Sequence, residues 1–230
     1  MNIIITGASR GIGRQLALNL AGRSGHSIIV ISRNEEKLNA LCKEAGERSA
    51  MIPIAFDLAE GDYDALARDI RKHMSEIHIL INNAGILINK KFGHLSASDF
   101  DTMMNVNVKS AFLLSKELLP LFEPQSHIVN ISSMGGYQGS VKFPGLSLYS
   151  ASKGALAILS ECMAEELKDH HIAVNCLALG AARTEMLAEA FPGYEAPVSA
   201  KDMAAYIADF ALNGHRFYNG KILPLSLSTP

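Results

Sequence analysis

A glycine-rich turn near the amino terminus decides the fold. Residues 6–13 read Thr-Gly-Ala-Ser-Arg-Gly-Ile-Gly, directly after the β-branched run Ile3–Ile5. Glycine at 7 permits a tight turn, glycine at 11 lets the backbone approach a pyrophosphate, and glycine at 13 lets the next helix pack close to the strand. The N-terminus of that helix presents N–H groups to phosphates. The turn therefore favours nucleotide binding over a purely structural connection. The residues predicted to contact the nucleotide here are Gly7, Ser9, Arg10, Gly11, Ile12 and Gly13.

Strand-like and helix-like segments alternate along the rest of the chain. The β-branched apolar runs that predict strands are 3–6, 27–32, 51–56, 77–81, 127–132 and 172–177, with a weaker run at 221–225. The stretches that predict helices are 12–23, 35–47, 63–74, 97–122, 150–170 and 202–212. Several strands are apolar at consecutive positions, as in a parallel sheet covered on both faces. The sequence predicts an α/β fold: a single Rossmann-type, doubly wound parallel sheet of about seven strands with helices on both faces, in one domain over residues 1–230.

The composition of the chain excludes several classes of protein. The 230 residues are 48% hydrophobic and 19% charged, which is typical of a globular domain and excludes a disordered chain. The formal net charge is −2 and the charges do not form runs, so a nucleic-acid partner is not expected. No apolar stretch approaches the roughly 18 residues of a membrane span.

The cysteine and histidine residues do not predict a metal site. Cys42, Cys162 and Cys176 include no Cys-x-x-Cys pair, so neither zinc nor a disulfide framework is expected. This favours a reducing compartment, with the cytoplasm as the default location. His127 and the histidine pair at 170–171 lack a completing carboxylate or cysteine. We therefore predict that they are the solvated ends of a strand and a helix.

The end of the second predicted strand bears on the choice of nucleotide. In NAD-binding units an acidic residue at this point binds the ribose 2′-hydroxyl. Here the strand ends at Arg33, the first carboxylate is Glu35, and Arg10 lies in the glycine turn. Two guanidinium groups suit a 2′-phosphate because each offers a fork of donors. Unless both arginines are only solvated surface charges, the cofactor is NADP(H), with NAD(H) as the alternative.

A tyrosine and a lysine lie one helical turn apart at Tyr149 and Lys153. On a helix, the spacing of i and i+4 places both side chains on one face. A phenol with a pKa near 10 is a poor acid–base catalyst at neutral pH, and a fixed cation beside it lowers that pKa. By itself the pair predicts only a surface contact, so its meaning depends on what converges with it.

Further motifs accompany this pair. In chain order the sequence has the glycine turn at 6–13, the turn Asn82-Asn83-Ala84-Gly85, Asn107, the pair Ser132-Ser133, and then Tyr149-x3-Lys153. In this order the motifs resemble the compact branch of the short-chain dehydrogenase/reductase family, from residue 1 to about residue 225. Each motif is weak alone, whereas five in order are strong.

The resemblance implies a role for each member of the catalytic group. Tyr149 would protonate the carbonyl oxygen during reduction and act as the base during oxidation. Lys153 would lower the pKa of the tyrosine and hold the hydroxyls of the nicotinamide ribose. Asn107, favoured over Asn105, would anchor a water in the proton relay to the lysine.

The resemblance also assigns positioning and cofactor residues. Ser133, with Ser132 as the alternative, would orient the substrate carbonyl. Asp57 would meet the adenine edge, although it could equally cap a turn, and Thr184 would bind the nicotinamide carboxamide. Beyond the glycine turn and Arg33, the implied cofactor residues are Asp57, Leu58, Asn83, Ala84, Gly85, Tyr149, Lys153, Gly180 and Thr184.

The chain departs from the family pattern at four places. Leu179 stands where the family has a proline, so the loop loses a fixed φ. The interval from Ser133 to Tyr149 is longer than usual, and the extra residues are expected within 140–147. The segment 185–198, which matches a substrate lid and is called the predicted lid below, is short. The glycine-rich tail after the strand at 221–225 is missing.

These observations predict an NADP(H)-dependent oxidoreductase of the cytoplasm. It would move a hydride between nicotinamide and a carbonyl or secondary alcohol carbon of a small molecule, such as a 3-oxoacyl thioester or a small ketone. The alternative is a catalytically silent NAD(P)-binding sensor or interaction subunit of the same fold. The resemblance implies a homodimer through the helices at 97–122 and 150–170, or a homotetramer if the last helix and strand also pair. Neither a membrane nor a nucleic-acid partner is expected.

Overall fold

The structure, a computed structural model that describes residues 1–46 and 50–227, is built on a parallel β-sheet. The strands of this sheet are β1 (Asn2–Thr6), β2 (Ser27–Ser32), β3 (Ala50–Ala55), β4 (Ile77–Asn82), β5 (Phe122–Ser133), β6 (Ala173–Leu179) and β9 (Ile222–Leu225). They are ordered β3-β2-β1-β4-β5-β6-β9, and every pairing is parallel. The short strands β7 (Ala182–Arg183) and β8 (Val198–Ser199) pair separately.

Helices connect the strands. The α-helices are α1 (Gly11–Ala21), α2 (Glu35–Ala45), α3 (Tyr63–His73), α4 (Ala97–Met104), α5 (Ser110–Leu118), α6 (Ser147–Glu166), α7 (Glu185–Ala190) and α8 (Ala200–Asn213). Local sequence explains where several begin. The side chain of Asn34 accepts from Lys37 N at 2.8 Å and caps α2, and two glutamates follow in the first turn. Ser96 and Asp99 form a reciprocal capping box at the start of α4.

The sheet is buried on both faces. Ile3 and Ile5 of β1 belong to a core with α1, α2 and α8, whereas Ile4 belongs to a second core with α3, α5 and α6. All three side chains are fully buried, which explains why this strand is apolar at consecutive positions. The prediction of a doubly wound parallel sheet of seven strands with helices on both faces is confirmed.

The strand order places the ligand-binding edge of the sheet. β1 and β4 are neighbours in the sheet, although β2 and β3 separate them in the sequence. Open α/β sheets bind ligands outside the carboxyl ends of their strands, next to such a reversal of order. The glycine turn follows β1 and the turn Asn82–Gly85 follows β4. Both predicted cofactor motifs therefore lie at this point.

The prediction of one helix over 97–122 is wrong. α4 ends at Met104, a π-helical turn spans Asn105–Lys109, and α5 ends at Leu118. A 3₁₀ turn then contains Pro120, and β5 begins at Phe122. The pattern of apolar residues could not reveal the π turn, because one extra residue in a turn changes the helical period only locally. Such turns are frequent at functional sites.

Other boundaries shifted less. The helix predicted at 150–170 is α6, which begins at Ser147 and is followed after Glu166 by a separate 3₁₀ turn at Lys168–His170. The helix predicted at 35–47 ends at Ala45, and residue 47 lies outside the described residues. The sheet of β7 and β8 was not predicted, because two-residue strands carry no periodic signal.

The prediction that His127 is solvated is wrong. The ring is fully buried on β5, where Nδ1 lies 3.0 Å from the carbonyl oxygen of Ala211 and Nε2 lies 3.0 Å from the side-chain nitrogen of Asn175. Asn175 donates to Nε2, so Nδ1 carries the proton and donates to Ala211. Burial lowers the pKa of His127 to about 4, which keeps the ring neutral. This histidine links β5, β6 and α8 and has no free nitrogen for a metal.

The described part of the chain shows no metal-ligand cluster, disulfide or membrane-spanning helix. Within 1–46 and 50–227, no three His, Cys, Asp or Glu side chains are grouped as ligands for a metal ion. All three cysteines are free thiols. In the same part of the chain, no helix combines the length and the apolar character that crossing a membrane requires.

Candidate active site

The glycine turn has the backbone geometry that the sequence predicts. Gly7 and Gly11 have φ values of +69° and +56°, which residues other than glycine rarely adopt. Gly7 N donates to the carbonyl of Ile31 at 2.8 Å, which joins the turn to the end of β2. A Cβ added at Gly13 would overlap the carbonyl oxygen of Gly7, so only glycine lets α1 begin this close to β1. The N-terminus of α1 thereby faces the carboxyl edge of the sheet.

The turn Asn82–Gly85 supports the glycine turn from the side. The Asn83 amide donates to the carbonyl oxygens of Thr6 at 2.9 Å and of Gly7 at 3.3 Å. Ala84 N donates to the Thr6 hydroxyl at 3.0 Å. Asn83 and Ala84, both predicted to contact the cofactor, therefore lie at the cofactor edge and hold its backbone in place.

A buried amide network behind this turn was not predicted. Asn82 donates to the side-chain oxygen of Asn130 on β5 at 2.8 Å, and Asn130 donates to the Ser160 hydroxyl on α6 at 2.8 Å. All three side chains are buried. Because buried polar groups require partners, this series of hydrogen bonds fixes β4, β5 and α6 relative to each other. Nothing in the spacing of Asn130 and Ser160 marks them in the sequence.

Lys153 is buried beside the Asn82–Gly85 turn. Only 4% of the residue is exposed, and its Nζ donates to the carbonyl oxygen of Ile131 at 2.8 Å. A Cβ added at Gly85 would lie 3.1 Å from Nζ, so the turn passes directly over the ammonium. Burial lowers the pKa of Lys153 to about 8. The lysine is thus held rigidly, with donors left over after the bond to Ile131.

Tyr149 lies one turn before Lys153 on α6 and is half-buried. The Lys153 Nζ lies 6.0 Å from the centroid of the phenol ring. That the lysine lowers the pKa of this phenol stays a prediction, because here the ammonium is directed to the carbonyl oxygen of Ile131. Burial raises the pKa of Tyr149, with only the Ser133 hydroxyl acting in the opposite direction, because the ammonium is directed to Ile131. Tyr149 is therefore a protonated phenol at neutral pH, the form that can give up a proton.

The two serines at the end of β5 are distinguished by their contacts. Ser132 is buried and its hydroxyl donates to the carbonyl oxygen of Lys153 at 2.7 Å, so it anchors the backbone of α6. Ser133 is partly exposed, accepts from Gly135 N at 3.1 Å and affects the pKa of Tyr149. Of the two candidates, Ser133 lies at the phenol.

Asn107 lies in the π turn and is buried. Its side-chain oxygen accepts from Ile86 N at 2.8 Å, and its amide donates to Ile86 O at 3.0 Å and to the Ser152 hydroxyl at 2.9 Å. The same oxygen would lie 3.3 Å from a Cβ at Gly85, close to the Lys153 ammonium. Asn107 therefore clamps the chain after β4 to α6, and its amide is already fully engaged by protein groups. Neither Ile86 nor Ser152 was predicted to be a hydrogen-bond partner of Asn107.

Gly136 allows the close approach of α6, and its role was also missed. A Cβ at this position would lie 2.5 Å from the carbonyl carbon of Lys153 and 2.8 Å from the Lys153 Cβ. The 3₁₀ turn Met134–Gly136 packs against α6 for this reason. The signal for it in the sequence is only the pair Gly135-Gly136 after the serines.

We expect Gly136→Ala to lower both stability and turnover. The added methyl must push α6 away, at a cost of about 1–3 kcal/mol in the free energy of unfolding, and this displaces Lys153. Urea unfolding and steady-state kinetics measure the two effects. Gly93→Ala is the matched control, because a Cβ there meets open space. Equal behaviour of the two variants would contradict the packing role.

The predicted binding site for the 2′-phosphate, at Arg10 and Arg33, is only partly open. Arg33 is exposed at the end of β2, as predicted. Arg10, however, forms a two-point ion pair with Glu189 of α7, with N–O distances of 2.5 and 3.2 Å. Asp57 is exposed and accepts from Ala59 N at 2.8 Å, so its turn-capping alternative is realised.

The remaining predicted cofactor residues lie at the carboxyl edge in different settings. Leu58 is buried in the core against α3. Gly180 N donates to Leu225 O at 2.8 Å, and a Cβ there would collide with Ser226, so this glycine closes β6 onto the end of β9. Thr184 caps α7 by accepting from Leu187 N at 3.2 Å, and its methyl group lies over Gly11.

Leu179, which replaces the usual proline, is the last residue of β6. It is buried and pairs with Ser133 on one side and Leu225 on the other. The two flanking strands therefore restrain the backbone that a proline ring would have restrained.

Comparison with known proteins agrees with this geometry. A family model described as short chain dehydrogenase matches residues 1–195. The chain belongs to the short-chain dehydrogenase/reductase family. It is thus an oxidoreductase that acts on alcohol or carbonyl groups with a nicotinamide cofactor.

Individual members of the family share most of the chain. An NADPH-dependent pterin aldehyde reductase of Arabidopsis thaliana is 36% identical over 203 residues, which are 85% of this chain and 82% of the relative. A short chain dehydrogenase from Burkholderia cenocepacia in complex with NADP superposes with a TM-score of 0.87 at 27% identity, covering 97% of this chain and 95% of that one. A 3-ketoacyl-(acyl-carrier-protein) reductase from Brucella melitensis complexed with NADH gives 0.86 at 25% identity, with the same coverage.

Proposed function

We propose that the chain is an NADP(H)-dependent carbonyl reductase in which Tyr149 is the proton donor. The observation that carries the proposal is the convergence of Tyr149, Ser133 and Lys153 at the carboxyl end of β5, beside the glycine turn. A carbonyl oxygen placed between the Ser133 hydroxyl and the Tyr149 phenol would meet two O–H donors. Family kinship supports the reaction class.

The residues around the glycine turn fit a dinucleotide. The N-terminus of α1 and the glycine backbone offer donors for a pyrophosphate. The atoms nearest to a Cβ at Gly11 would be side-chain atoms of Thr184 and Glu185 at 3.5–3.6 Å, so side chains and not backbone cover this glycine. Gly7, Ser9, Gly11, Ile12 and Gly13 would hold the pyrophosphate side, and Lys153 and Thr184 the nicotinamide side. When bound, the cofactor supplies or accepts the hydride.

The proton chemistry belongs to the protein. In reduction the phenol of Tyr149 donates its proton to the carbonyl oxygen while Ser133 orients that oxygen. The phenolate left behind is stabilised by the nearby Lys153 ammonium, which is fixed by its bond to Ile131. Asn107 acts as a positioning residue, because its amide connects Ile86 to Ser152 around the lysine. In oxidation the Tyr149 phenolate accepts the proton of the alcohol, and the other groups keep the same roles.

The basic corner favours NADP(H) over NAD(H). No carboxylate follows β2 before Glu35, and Arg33 after β2 and Arg10 in the glycine turn would bind the 2′-phosphate. Lys37 is close enough to this corner to act on the pKa of Glu189. The related structures include complexes with NADP and with NADH, so the charges of this chain carry the preference.

We expect Arg33→Asp to raise the KM for NADPH by about 10- to 100-fold and to leave the KM for NADH nearly unchanged. A charge-assisted hydrogen bond to the 2′-phosphate is lost and a repulsive charge is gained. Steady-state kinetics with each coenzyme measure the effect. Arg71→Asp on α3 reverses an exposed charge elsewhere and is the control. Equal changes with both coenzymes would refute the NADP(H) assignment.

The substrate is proposed as a small carbonyl compound, either a 3-oxoacyl thioester or a small ketone. The loop at 140–147 and the predicted lid at 185–198 border the site. Lys90 N donates to Gly145 O, and Asn89 donates to Ala190 O, so both segments contact the chain after β4. Val141 and Phe143 are exposed on the loop and would face an apolar part of the substrate. A panel of both substrate classes, followed by NADPH oxidation, separates them by relative kcat/KM.

A silent NAD(P)-binding subunit is the second candidate. It is favoured by the predicted lid, which is tied to both sides of the cleft through Glu189 and Ala190. Such a protein would bind NADPH and oxidise it with no member of the panel. The intact group of Tyr149, Lys153, Ser133 and Asn107 supports the enzyme instead.

We further propose a homodimer through the helices around the π turn and α6. Phe112 on α5 is 45% exposed and Ile158 on α6 is 58% exposed, although both are large apolar side chains. A second contact through α8 and β9 would make a homotetramer.

We expect Ile158→Glu to weaken the dimer by about 100-fold or more, because a charge would be buried without a partner. Analytical ultracentrifugation measures the dissociation constant. Phe92→Glu is the control, since Phe92 is also a large apolar side chain, 80% exposed, but lies in the turn before α4. A dimer that survives Ile158→Glu would refute this interface.

A further inference from the structure

The predicted lid brings two carboxylates onto the glycine turn. Glu189 pairs with Arg10 through both of its oxygens. Glu185, one turn earlier on α7, has its Oε2 3.6 Å from the point where a Cβ of Gly11 would lie. Both acids come from a single short helix and face the cofactor edge of the sheet.

The two carboxylates lie against the groups that the proposed function assigns to the phosphates of the cofactor. Arg10 is proposed for the 2′-phosphate and the backbone at Gly11 for the pyrophosphate. Carboxylates and phosphates accept hydrogen bonds from the same donors, and two anions cannot both bind the same pair of guanidinium N–H groups. A bound 2′-phosphate and the Glu189 carboxylate are therefore in direct competition for Arg10.

The position of α7 is fixed by more than this ion pair. Thr184 caps the start of the helix, and the amide of Asn89 donates to Ala190 O at its end at 2.9 Å. The pairing of β7 with β8 closes the base of the segment. The helix thus spans the cleft from the glycine turn to the chain after β4.

The ion pair has the strength expected of an exchangeable contact. The Arg10 and Glu189 side chains are 40% and 62% exposed, and exposed pairs contribute about 0–1 kcal/mol. Arg10, followed by the charge of Lys37, holds the pKa of Glu189 below its usual range, so the carboxylate is ionised. A phosphate carries more negative charge and binds the guanidinium through two oxygens as well, so it can replace the carboxylate.

We propose that Glu189 is a placeholder for the 2′-phosphate: it holds Arg10 and keeps the lid closed until the phosphate of NADPH replaces it. This inference rests on the proposed NADP(H) function. NADPH gives Arg10 a new partner and releases Glu189, whereas NADH offers Arg10 nothing in exchange. Glu185 opposes the pyrophosphate, which both coenzymes have. Displacement of Glu189 from Arg10 is therefore selective for NADPH.

Equilibrium binding to Glu189→Gln tests the competition. We expect the Kd for NADPH to fall about three- to fivefold, the value of one exposed ion pair, and the Kd for NADH to stay unchanged. Glu185→Gln should tighten both coenzymes alike. Glu195→Gln, which removes an exposed charge from the same segment, is the control and should change neither. Fluorescence or calorimetric titration of the wild-type chain and the three variants gives the Kd for each coenzyme without turnover.

A double-mutant cycle separates the specific pair from general charge effects. In an Arg10→Gln background, Glu189→Gln should no longer alter NADPH binding, because the carboxylate acts through Arg10. An undiminished effect in that background would overturn the inference, as would equal tightening of NADPH and NADH by Glu189→Gln alone.

Hydrogen exchange tests the release of the lid. Adenosine 2′,5′-bisphosphate should raise the exchange rate of the α7 amides, whereas adenosine 5′-monophosphate should not. Neither probe contains nicotinamide, so neither can clamp the lid at the far end of the cleft. Unchanged or slower exchange with the bisphosphate would overturn the placeholder role and leave the reductase proposal standing. Failure of the wild-type chain to bind NADPH would overturn both.

Discussion

Replacing Tyr149 by phenylalanine should reduce the turnover of carbonyl substrates by about 10²–10⁴-fold, the usual contribution of a general acid. Phenylalanine keeps the ring and its packing on α6 and removes only the hydroxyl. Burial raises the pKa of this phenol, so the oxygen keeps its proton until a carbonyl substrate accepts it. No other hydroxyl is proposed here as the donor, because Ser133 has a far less acidic proton and serves to orient the substrate.

The measurement is steady-state NADPH oxidation, together with the Kd for NADPH. The Kd should stay largely unchanged, because Tyr149 is one of many residues expected to contact the cofactor and phenylalanine keeps its ring. Tyr206→Phe, on the exposed face of α8, is the matched control and should retain full activity. Full turnover by Tyr149→Phe would mean that the proton comes from another group.

Replacing Lys153 by methionine should lower kcat by about 100-fold or more and should also raise the KM for the coenzyme. Methionine fills the same narrow space under Gly85 but has no donor and no charge. The variant loses the cation that stabilises the phenolate and the N–H groups available to the ribose. Lys116→Met on α5 removes an exposed ammonium and is the control. A variant with unchanged kcat would contradict the role of Lys153.

The pH dependence of the wild-type enzyme follows from the same residue. Reduction should slow as the pH rises through about 8, where Lys153 loses its proton. The contribution of Lys153 to the free energy of unfolding should instead increase as the pH rises. The folded chain has a lower lysine pKa than the ordinary value of 10.5, so the unfolded chain binds more protons between these values. The contribution of Lys153 to the free energy of unfolding should therefore rise from pH 8 to pH 10.5, and urea titrations at a series of pH values measure it.

Sequence predicted the parts of the site whose cause is local. The glycines at 7, 11 and 13 are required by backbone geometry within one turn, and Tyr149 and Lys153 are required by the spacing of a helix. The order of strands and helices follows from runs of apolar residues. These features needed no knowledge of which segments meet in space, so the fold could be predicted, whereas the catalytic role of the Tyr149–Lys153 pair came from the resemblance of five ordered motifs to the family.

The features that were missed depend on contacts between distant segments. Asn107 was predicted, but its partners Ile86 and Ser152 and the π turn around it were not. Gly136 looks like any loop glycine until α6 is seen to pass over it. The pairing of Arg10 with Glu189 joins residues that are far apart in the chain, and it gave the predicted phosphate ligand another partner. In each case the tertiary arrangement, and not the local pattern, determines the role.

The central claim is that this chain transfers a hydride to a carbonyl carbon while Tyr149 protonates the oxygen. Incubation of NADPH deuterated at the transferable position with the carbonyl panel, followed by mass spectrometry of the products, tests it most directly. At least one carbonyl should become an alcohol carrying one deuterium on the carbinol carbon, and Tyr149→Phe, with NADPH still bound, should form almost none. Binding of NADPH without a deuterated alcohol from any member of the panel, or an undiminished yield with Tyr149→Phe, would contradict it.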